Sequence, residues 1–272
     1  MQETGNKSNQ PYSLSIRFHT DGFSFYICNP QSDKHYQHID CAVADKTALA
    51  ENLRQKLEIW ATASTHKFTV VSALFNSPAC FVPLELFQKE DKELHYELTC
   101  PHAPEHTIHY NILPHLEVAH LFSVPQAVEE ILLQYFPAIH FHAQNSMVLE
   151  RTAAHAQIAD GKILYAYFYN QRVYVFHFCD KKLVFANEFT VSTSQDVLYY
   201  VLNVWKMLQL DRKTDCCALI QPEHAPEHAA EELKHYIYKV QGIDLRSWFD
   251  QAPLTQIKEI PFDILSLLLN GF

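Results

Sequence analysis

SLSIRFHTDGFSFYI, residues 13–27, is the stretch whose reading decides the fold. Leu14, Ile16 and Phe18 alternate with Ser15 and Arg17 before Asp21-Gly22, and Phe23, Phe25 and Ile27 alternate after it. Successive strand side chains point to opposite faces, so a period of two around Asp-Gly specifies a β-hairpin with one apolar face. The pattern returns in KILYAYFYNQRVYVFHF, residues 162–178, with the turn at Asn170-Gln171.

Outward from the first hairpin, HIDCAVA (38–44) reads as a third strand. DKTALAENLRQKLEIWATAS (45–64) reads as a helix, with Leu49, Leu53, Leu57 and Trp60 on one face and Asp45 as N-cap. KFTVVSALF (67–75) is a buried strand. After the second hairpin come a strand in KLVFANEFTV (182–191) and a helix in STSQDVLYYVLNVWKMLQL (192–210). Ser192 and Gln195 are expected to form its capping box, and Val197, Val201, Val204, Trp205 and Leu208 its buried face. DCCALI (215–220) closes the series as a strand. Asp45 to Ser192 and Phe68 to Asp215 are each 147 positions apart (192 − 45 and 215 − 68). Equal order and spacing predict an internal duplication, with two unrelated α/β units as the alternative. Between the halves, FSVPQAVEEILLQYFPAIHFHAQNSMVLERTAAHAQ (122–157) predicts helix, short strand and helix joining the lobes. Ser123 and Gln126 are its expected capping box, Pro125 sits in the first turn, and Val128, Ile131, Leu132 and Tyr135 line one face.

Composition narrows the function. With 272 residues, 48% of them apolar, the chain can bury a core in each of two lobes. A net charge of -10 without a basic tract argues against a nucleic-acid partner. No apolar run is long enough to cross a bilayer, and ILSLLLNGF at the end reads as a docked helix, so no membrane insertion is expected. Seven cysteines without a C-x-x-C pair, behind an N-terminus lacking an apolar signal core, predict a reduced cytoplasmic protein. Only five glycines occur, about 2% against a usual ~7%. Glycine lets backbone amides approach phosphate closely, so material for a phosphate cradle is scarce.

HAPEH occurs at 102–106 and again at 224–228, and each copy spells H-x-x-E-H. That zinc signature needs both histidines on one helical face with the glutamate as base. Pro104 and Pro226 break the spacing, because an interior proline removes a helical hydrogen bond. The first copy reads as a loop. In the second, Pro226 is expected to open a helix over EHAAEELKHYIYKV (227–240), with His224 before it and His228 in its first turn. Both copies are expected to be metal-free in the native setting. The sharper metal alternative is adventitious binding by His102, His106 and His109. Cys216-Cys217 read as buried thiols of an apolar strand rather than a redox pair. Ser146 with His142 has the residue types of a nucleophile and base, without a G-x-S-x-G elbow or an orienting third group.

The duplicated order of elements over roughly 13–250 resembles the actin-like ATPase superfamily, which includes actin, sugar kinases, heat-shock chaperones and actin-like proteins of pilus assembly. SLSIRFHTDGFSFYI, ACFVPLELF, AHLFSVPQAVEEILLQYFPAIHFHAQNSM and ILYAYFYNQRVYVF also resemble an uncharacterised Bacteroidetes family with this fold. The resemblance implies an α/β fold of duplicated βββαβα, ribonuclease H-like lobes, each a mixed five-stranded sheet with flanking helices. The implied boundaries are a first lobe at 11–122, a connection at 123–160 and a second lobe at 161–272. It also implies where nucleotide would sit. Members of the superfamily grip phosphate with an Asp-x-Gly loop in each first hairpin and adenosine with a Gly-Gly loop after the second lobe's fourth strand. Here those positions hold Asp21-Gly22 without the spacing, Asn170-Gln171 without Asp or Gly, and Gln221-Pro222-Glu223 without glycine. The expectation is a pseudo-ATPase with no cofactor, no catalytic residue and no metal, acting on an unidentified protein partner. The tyrosine-rich strand YAYFYNQRVYVF (165–176) is a candidate contact for it. The alternative is an enzyme using nucleotide or metal through ligands unlike the superfamily's.

Overall fold

The structure, a computed structural model, describes residues 12–19, 21–29, 32–43, 48–63, 68–100, 104–156, 161–180, 182–243, 248–249, 252–257 and 259–270. The expected N-cap Asp45 and the loop residue His102 lie outside them. The chain divides into two compact units, one of the described residues up to Val148 together with those from Ala252 onward, the other of Leu149 onward to the same point.

In the first unit, β1 (Tyr12–His19) and β2 (Gly22–Asn29) form the hairpin, and β3 (Ser32–Ala42) pairs antiparallel with β2. Helix α1 (Leu49–Ala63) leads to β4 (Phe68–Phe75), which pairs parallel with β1. A second sheet follows, from β5 (Ala79–Pro83), β6 (His106–Leu113) and β7 (Val118–Pro125), with α2 (Lys92–Glu97) between the first two. Helix α3 (Gln126–Tyr135) then returns to β8 (His140–Ala143), which pairs parallel with β4. The main sheet runs β3-β2-β1-β4-β8. Thus β8 lies within 123–160, the stretch expected only to connect the lobes.

Helix α4 (Gln144–Ala156) precedes the second hairpin, β9 (Ile163–Tyr169) and β10 (Arg172–Cys179). Then come β11 (Lys182–Thr190), α5 (Ser194–Met207), β12 (Cys216–Ile220), the short α6 (Ala229–Lys234) and β13 (Lys239–Ile243). The sheet of the second unit runs β11-β10-β9-β12-β13, the same order and the same antiparallel and parallel pairings as the main sheet of the first. The second half has nothing at the place of the three-stranded insertion except the turn after β12 and α6. The helix expected over 227–240 is therefore shorter: it ends at Lys234, and Lys239–Ile243 form the edge strand of the sheet.

Burial follows the alternation. Leu14, Ile16, Phe23, Phe25 and Ile27 face α1 and α3, where Leu53, Leu57, Val128, Ile131 and Leu132 meet them, with Leu49, Trp60 and Tyr135 at the margin. In the sheet of the second unit Leu164, Ala166, Phe168, Val173 and Val175 meet Val197, Val201, Val204 and Trp205 of α5, with Leu208 beside them. The other face of β1 is also buried, although it carries Ser13, Ser15 and Arg17. There Arg17 Nε donates to Asp263 Oδ2 at 2.7 Å. Asp263 sits in the first turn of α7 (Phe262–Asn270), whose Phe262, Ile264, Leu265 and Leu267 are buried. The terminal apolar run is thus a docked helix, and it belongs to the first unit rather than to the 161–272 lobe of the sequence reading.

Two capping assignments change. For α5 the box is Thr193 with Asp196, one residue beyond Ser192 and Gln195: Thr193 Oγ1 accepts from Asp196 N, while Asp196 Oδ2 accepts from the amides of both Ser192 and Thr193. The short aspartate carboxylate reaches back over its own turn, so Ser192 serves as a donor. For α3 no side chain caps the helix. Ser123 is buried within β7, opposite Ile108, and its amide donates to Ser77 Oγ. The strand runs directly into the helix, and Gln126 N is satisfied by Glu105 O at 2.8 Å.

Candidate functional site

The three loops where the fold would hold a nucleotide each have a local structural cause. In the first hairpin His19 pairs with Gly22, so Asp21 lies in the turn and Gly22 is the first residue of β2. This moves the turn one position from the Asp21-Gly22 reading. Gly22 has φ +144, and a Cβ there would lie 2.1 Å from the carbonyl oxygen of Cys41. Glycine is required because the end of the paired strand β3 approaches this point at backbone distance. Asp21 is exposed, and its carbonyl accepts from Val43 N at 2.7 Å.

The second hairpin repeats the arrangement 150 positions later (171 − 21). Tyr169 pairs with Arg172, Asn170 and Gln171 turn with φ of 43 and 57, and Gln171 O accepts from Val191 N at 2.9 Å. Two consecutive positive φ values match the twist of the flanking strands, as in a primed hairpin turn. Both turn side chains are exposed. The adjacent charge is already matched, since Glu188 of β11 accepts from both Arg172 and the Tyr169 hydroxyl. In the third loop Gln221 is left-handed, and Pro222–His224 form a 3₁₀ turn. The amides of His224 and Ala225 are bonded to Gln221 O and Pro222 O, both at 3.0 Å. Pro222 Cγ lies 3.5 Å from where a Cβ on Gly242 would be. Glu223 is exposed and adds negative charge. In chemical terms, one glycine is consumed by the close approach of β3, one loop has no carboxylate, and one has its last two amides turned inward.

The HAPEH copies separate in the structure. His106 is the first residue of β6, and His109, three positions on, points to the opposite strand face, where Nε2 meets Glu129 Oε1 at 2.9 Å. His224 lies in the 3₁₀ turn, and His228 is the left-handed residue just before α6 rather than in its first turn. The second copy does not put its two histidines on a shared helical face, and His106 of the first lies in a strand.

Ser146 has a histidine partner, though not His142. His120 Nδ1 and Ser146 Oγ are 2.7 Å apart, both buried. His142 is instead beside Asn111, whose amide donates to Phe141 O at 3.0 Å and whose Oδ1 accepts from Ala143 N at 2.8 Å. His120 and Asn111 are opposite one another in the β6–β7 ladder. This buried set fastens the inserted sheet to β8 and to the start of α4. It has no exposed reacting atom. The sequence hides the pairing because His120 is 26 positions from Ser146.

Burial pushes the His120 imidazole down to about 3, and burial together with the nearby His140 pushes His142 down to about 4. The unfolded chain takes up these protons near pH 6.5, which the folded chain refuses. Stability contributed by the two neutral rings is therefore complete above pH 6.5 and lost on acidification, from 6.5 down to about 4 for His142 and about 3 for His120. The limiting slope is about 2.7 kcal/mol per pH unit for two protons. Urea unfolding at pH 7.5, 6.0 and 5.0 should show that decline, and His120→Gln should flatten it by about one proton.

The other candidates are sealed as well. Cys217 is fully buried and Cys216 half-buried, and burial raises both thiols, which suppresses the reactive thiolate. Tyr165, Tyr167, Tyr169 and Tyr174 are all buried. The tyrosine strand is therefore not an exposed contact; aromatic rings fill both faces of a central strand. Among the described residues no group of three His, Cys, Asp or Glu side chains is placed to hold a metal ion, and no helix is long and apolar enough to cross a membrane.

Comparison with known proteins agrees with the fold. The family model described as protein of unknown function (DUF3822) matches residues 2–240. A Bacteroides thetaiotaomicron protein described as having an actin-like ATPase fold and unknown function superposes with a TM-score of 0.75 at 25% identity, over 98% of this chain and 99% of that one. The PilM-PilN type IV pilus biogenesis complex gives 0.57 at 13% identity, over 95% and 98%. No curated protein matches the chain. The fold is the actin-like ATPase fold.

Proposed function

We propose, from the premise that this chain belongs to the DUF3822 family of proteins of unknown function, that it is a non-catalytic actin-like module that binds another protein and does not turn over ATP. The observation that carries the reading is Gly22. The one glycine in a phosphate-loop position has its Cβ direction blocked at 2.1 Å by the Cys41 carbonyl, so it serves the sheet. Phosphoryl transfer rests on positioning and on offsetting phosphate charge, which needs close amides and carboxylates for Mg²⁺. The Asn170-Gln171 turn has no carboxylate, and Gln221-Pro222-Glu223 places a proline and a like charge where amides are needed. These residues do not fit Mg-ATP. The same fold occurs in the PilM-PilN complex, an assembly of pilus biogenesis proteins, which supports a binding role for a member without the grip. Seven free cysteines suit a reducing, cytoplasmic setting.

Thermal melting with millimolar ATP, ADP, Mg²⁺ and Zn²⁺ tests the reading. A ligand at about 100 times its Kd stabilises by about 2.7 kcal/mol, roughly 5–10 °C for a chain of this size. The expected shift is none. A shift of that size with ATP and Mg²⁺ together would favour the alternative enzyme reading.

A further inference from the structure

In the second unit, charge is sorted along the strand direction. Strands β9, β12 and β13 run parallel, so their starts lie at one end of the sheet, beside the end of β10 and the start of β11. Lys162 precedes β9, Lys182 opens β11, Lys239 opens β13, and Arg212 and Lys213 lie in the turn before β12; all are exposed. Helices α5 and α6 run back to the same end, and their last turns add exposed Lys206 and Lys234. Backbone contacts hold these segments side by side: Cys216 N donates to Lys162 O and Tyr238 N to Arg212 O, both at 3.0 Å. Lys239 Nζ donates to Thr214 O at 2.9 Å, which leaves its charge uncancelled. Among the described residues the carboxylates at this end are Asp180, Asp211 and Asp215. Asp211 lies near Lys213, but its Oδ1 accepts from the amides of Lys213 and Thr214 at 2.7 and 3.0 Å. Asp215 is buried and accepts from Asp211 N at 2.7 Å. No described carboxylate forms an ion pair with any of the seven cations. Glu188, Asp196, Glu223, Glu227 and Glu231 lie toward the opposite end, where β11 and β12 finish and α5 and α6 begin.

The basic end also carries aromatic surface. Tyr236 and Tyr238, between α6 and β13, are 53% and 59% exposed, and the Arg212 guanidinium lies 4.7 Å from the centre of the Tyr238 ring. Tyrosine and arginine supply much of the binding energy at protein interfaces, and opposite charge steers a partner in. A basic end on a chain of net charge -10 therefore selects an anionic occupant. A long nucleic acid would run from it onto like charge, because a strand as long as the eight-residue β10 spans only about 26 Å. A short acidic segment matches the cations and brings apolar side chains for the tyrosines. We infer that this end of the second unit docks an acidic segment of a partner protein, with Asp or Glu against Arg212, Lys213 and Lys239 and apolar side chains against Tyr236 and Tyr238. This inference rests on the protein-binding reading above and gives it a surface.

The test uses the full chain and a labelled peptide of about 18 residues of glutamate, serine and phenylalanine, with its lysine counterpart as control. Fluorescence anisotropy should show micromolar binding of the acidic peptide, weakening as salt rises, and none of the basic one. Arg212→Glu with Lys239→Glu should weaken binding at least about tenfold. Lys56→Glu with Lys89→Glu, an equal charge change on exposed residues of the first unit, should leave it within about twofold. Tyr236→Ser with Tyr238→Ser is the second variant, expected to weaken binding without changing its salt dependence. Melting curves establish that each variant is folded. No binding, equal binding of the two peptides, or equal loss in the two charge variants overturns the inference. So does tighter binding of a thymidine oligonucleotide or of phosphatidylserine vesicles, since a nucleic acid or a membrane is then the occupant. Self-association of the free protein that Arg212→Glu with Lys239→Glu dissolves overturns it too, in favour of a second copy. None of these outcomes bears on Mg-ATP, so the surface can fail while the non-catalytic reading stands.

Discussion

Gly22→Ala is expected to destabilise the protein by roughly 3 kcal/mol or more, from a left-side φ that alanine resists and from overpacking against backbone. The methyl would sit 2.1 Å from the Cys41 carbonyl oxygen and 3.0 Å from Val43 N. Neither atom can rotate away, because both belong to the β2–β3 pairing and the turn contact that closes it. Urea unfolding measures the loss. Asp21→Ala is the informative neighbour. Its side chain is exposed, so its removal should change stability by no more than about 0.5 kcal/mol. A glycine indispensable for folding beside a dispensable aspartate is the signature of a structural loop. If Gly22→Ala folds with unchanged stability, the close approach of β3 is not what requires glycine there.

Arg17→Ala is expected to cost about 3–5 kcal/mol, because it leaves the Asp263 carboxylate buried without its cation. Asp263 has no exposed side-chain surface, and Arg17 is nearly as buried. Among the described residues Asp263 Oδ1 already lacks a hydrogen-bond partner, so the carboxylate has little else to share its charge. The pair is not expected to be a large net gain over apolar packing, since desolvation offsets much of its attraction. Arg17→Met combined with Asp263→Leu should therefore recover most of what Arg17→Ala loses. Chemical denaturation of the single and double variants gives the coupling directly. Additive losses in the double variant would mean that the two side chains act separately and that α7 docks by its leucines alone.

The hairpins were legible because strand alternation around a turn is a local signal, and the duplication was legible because two such signals recur at one spacing. What escaped was non-local. Nothing near Arg17 in sequence announces Asp263, 246 positions away, so the terminal helix was placed with the wrong half. The fifth strands β8 and β13 are short and take their character from pairing with β4 and β12, so one read as part of a connection and the other as helix. Strands β5, β6 and β7 form a three-stranded sheet whose β7 is buried on both faces, which erases the alternation that would mark it. In the candidate site, the missing glycines were visible as composition. That Gly22 is blocked by Cys41, and that Ser146 faces His120 rather than His142, needed the register of the strands. The tyrosines of β9 looked like a surface because their hydroxyls are polar, yet in a central strand they serve as buried rings.

The central claim is that this actin-like fold has kept its two lobes and lost its hold on nucleotide. Isothermal titration of the full chain with Mg-ATP, followed by a phosphate-release assay on the same sample, tests it most directly. The account predicts no binding heat at micromolar protein and no phosphate released above the protein-free rate. Micromolar binding with turnover that Asp21→Ala abolishes would contradict it, because the exposed carboxylate of the first turn would then be holding the metal of a working site.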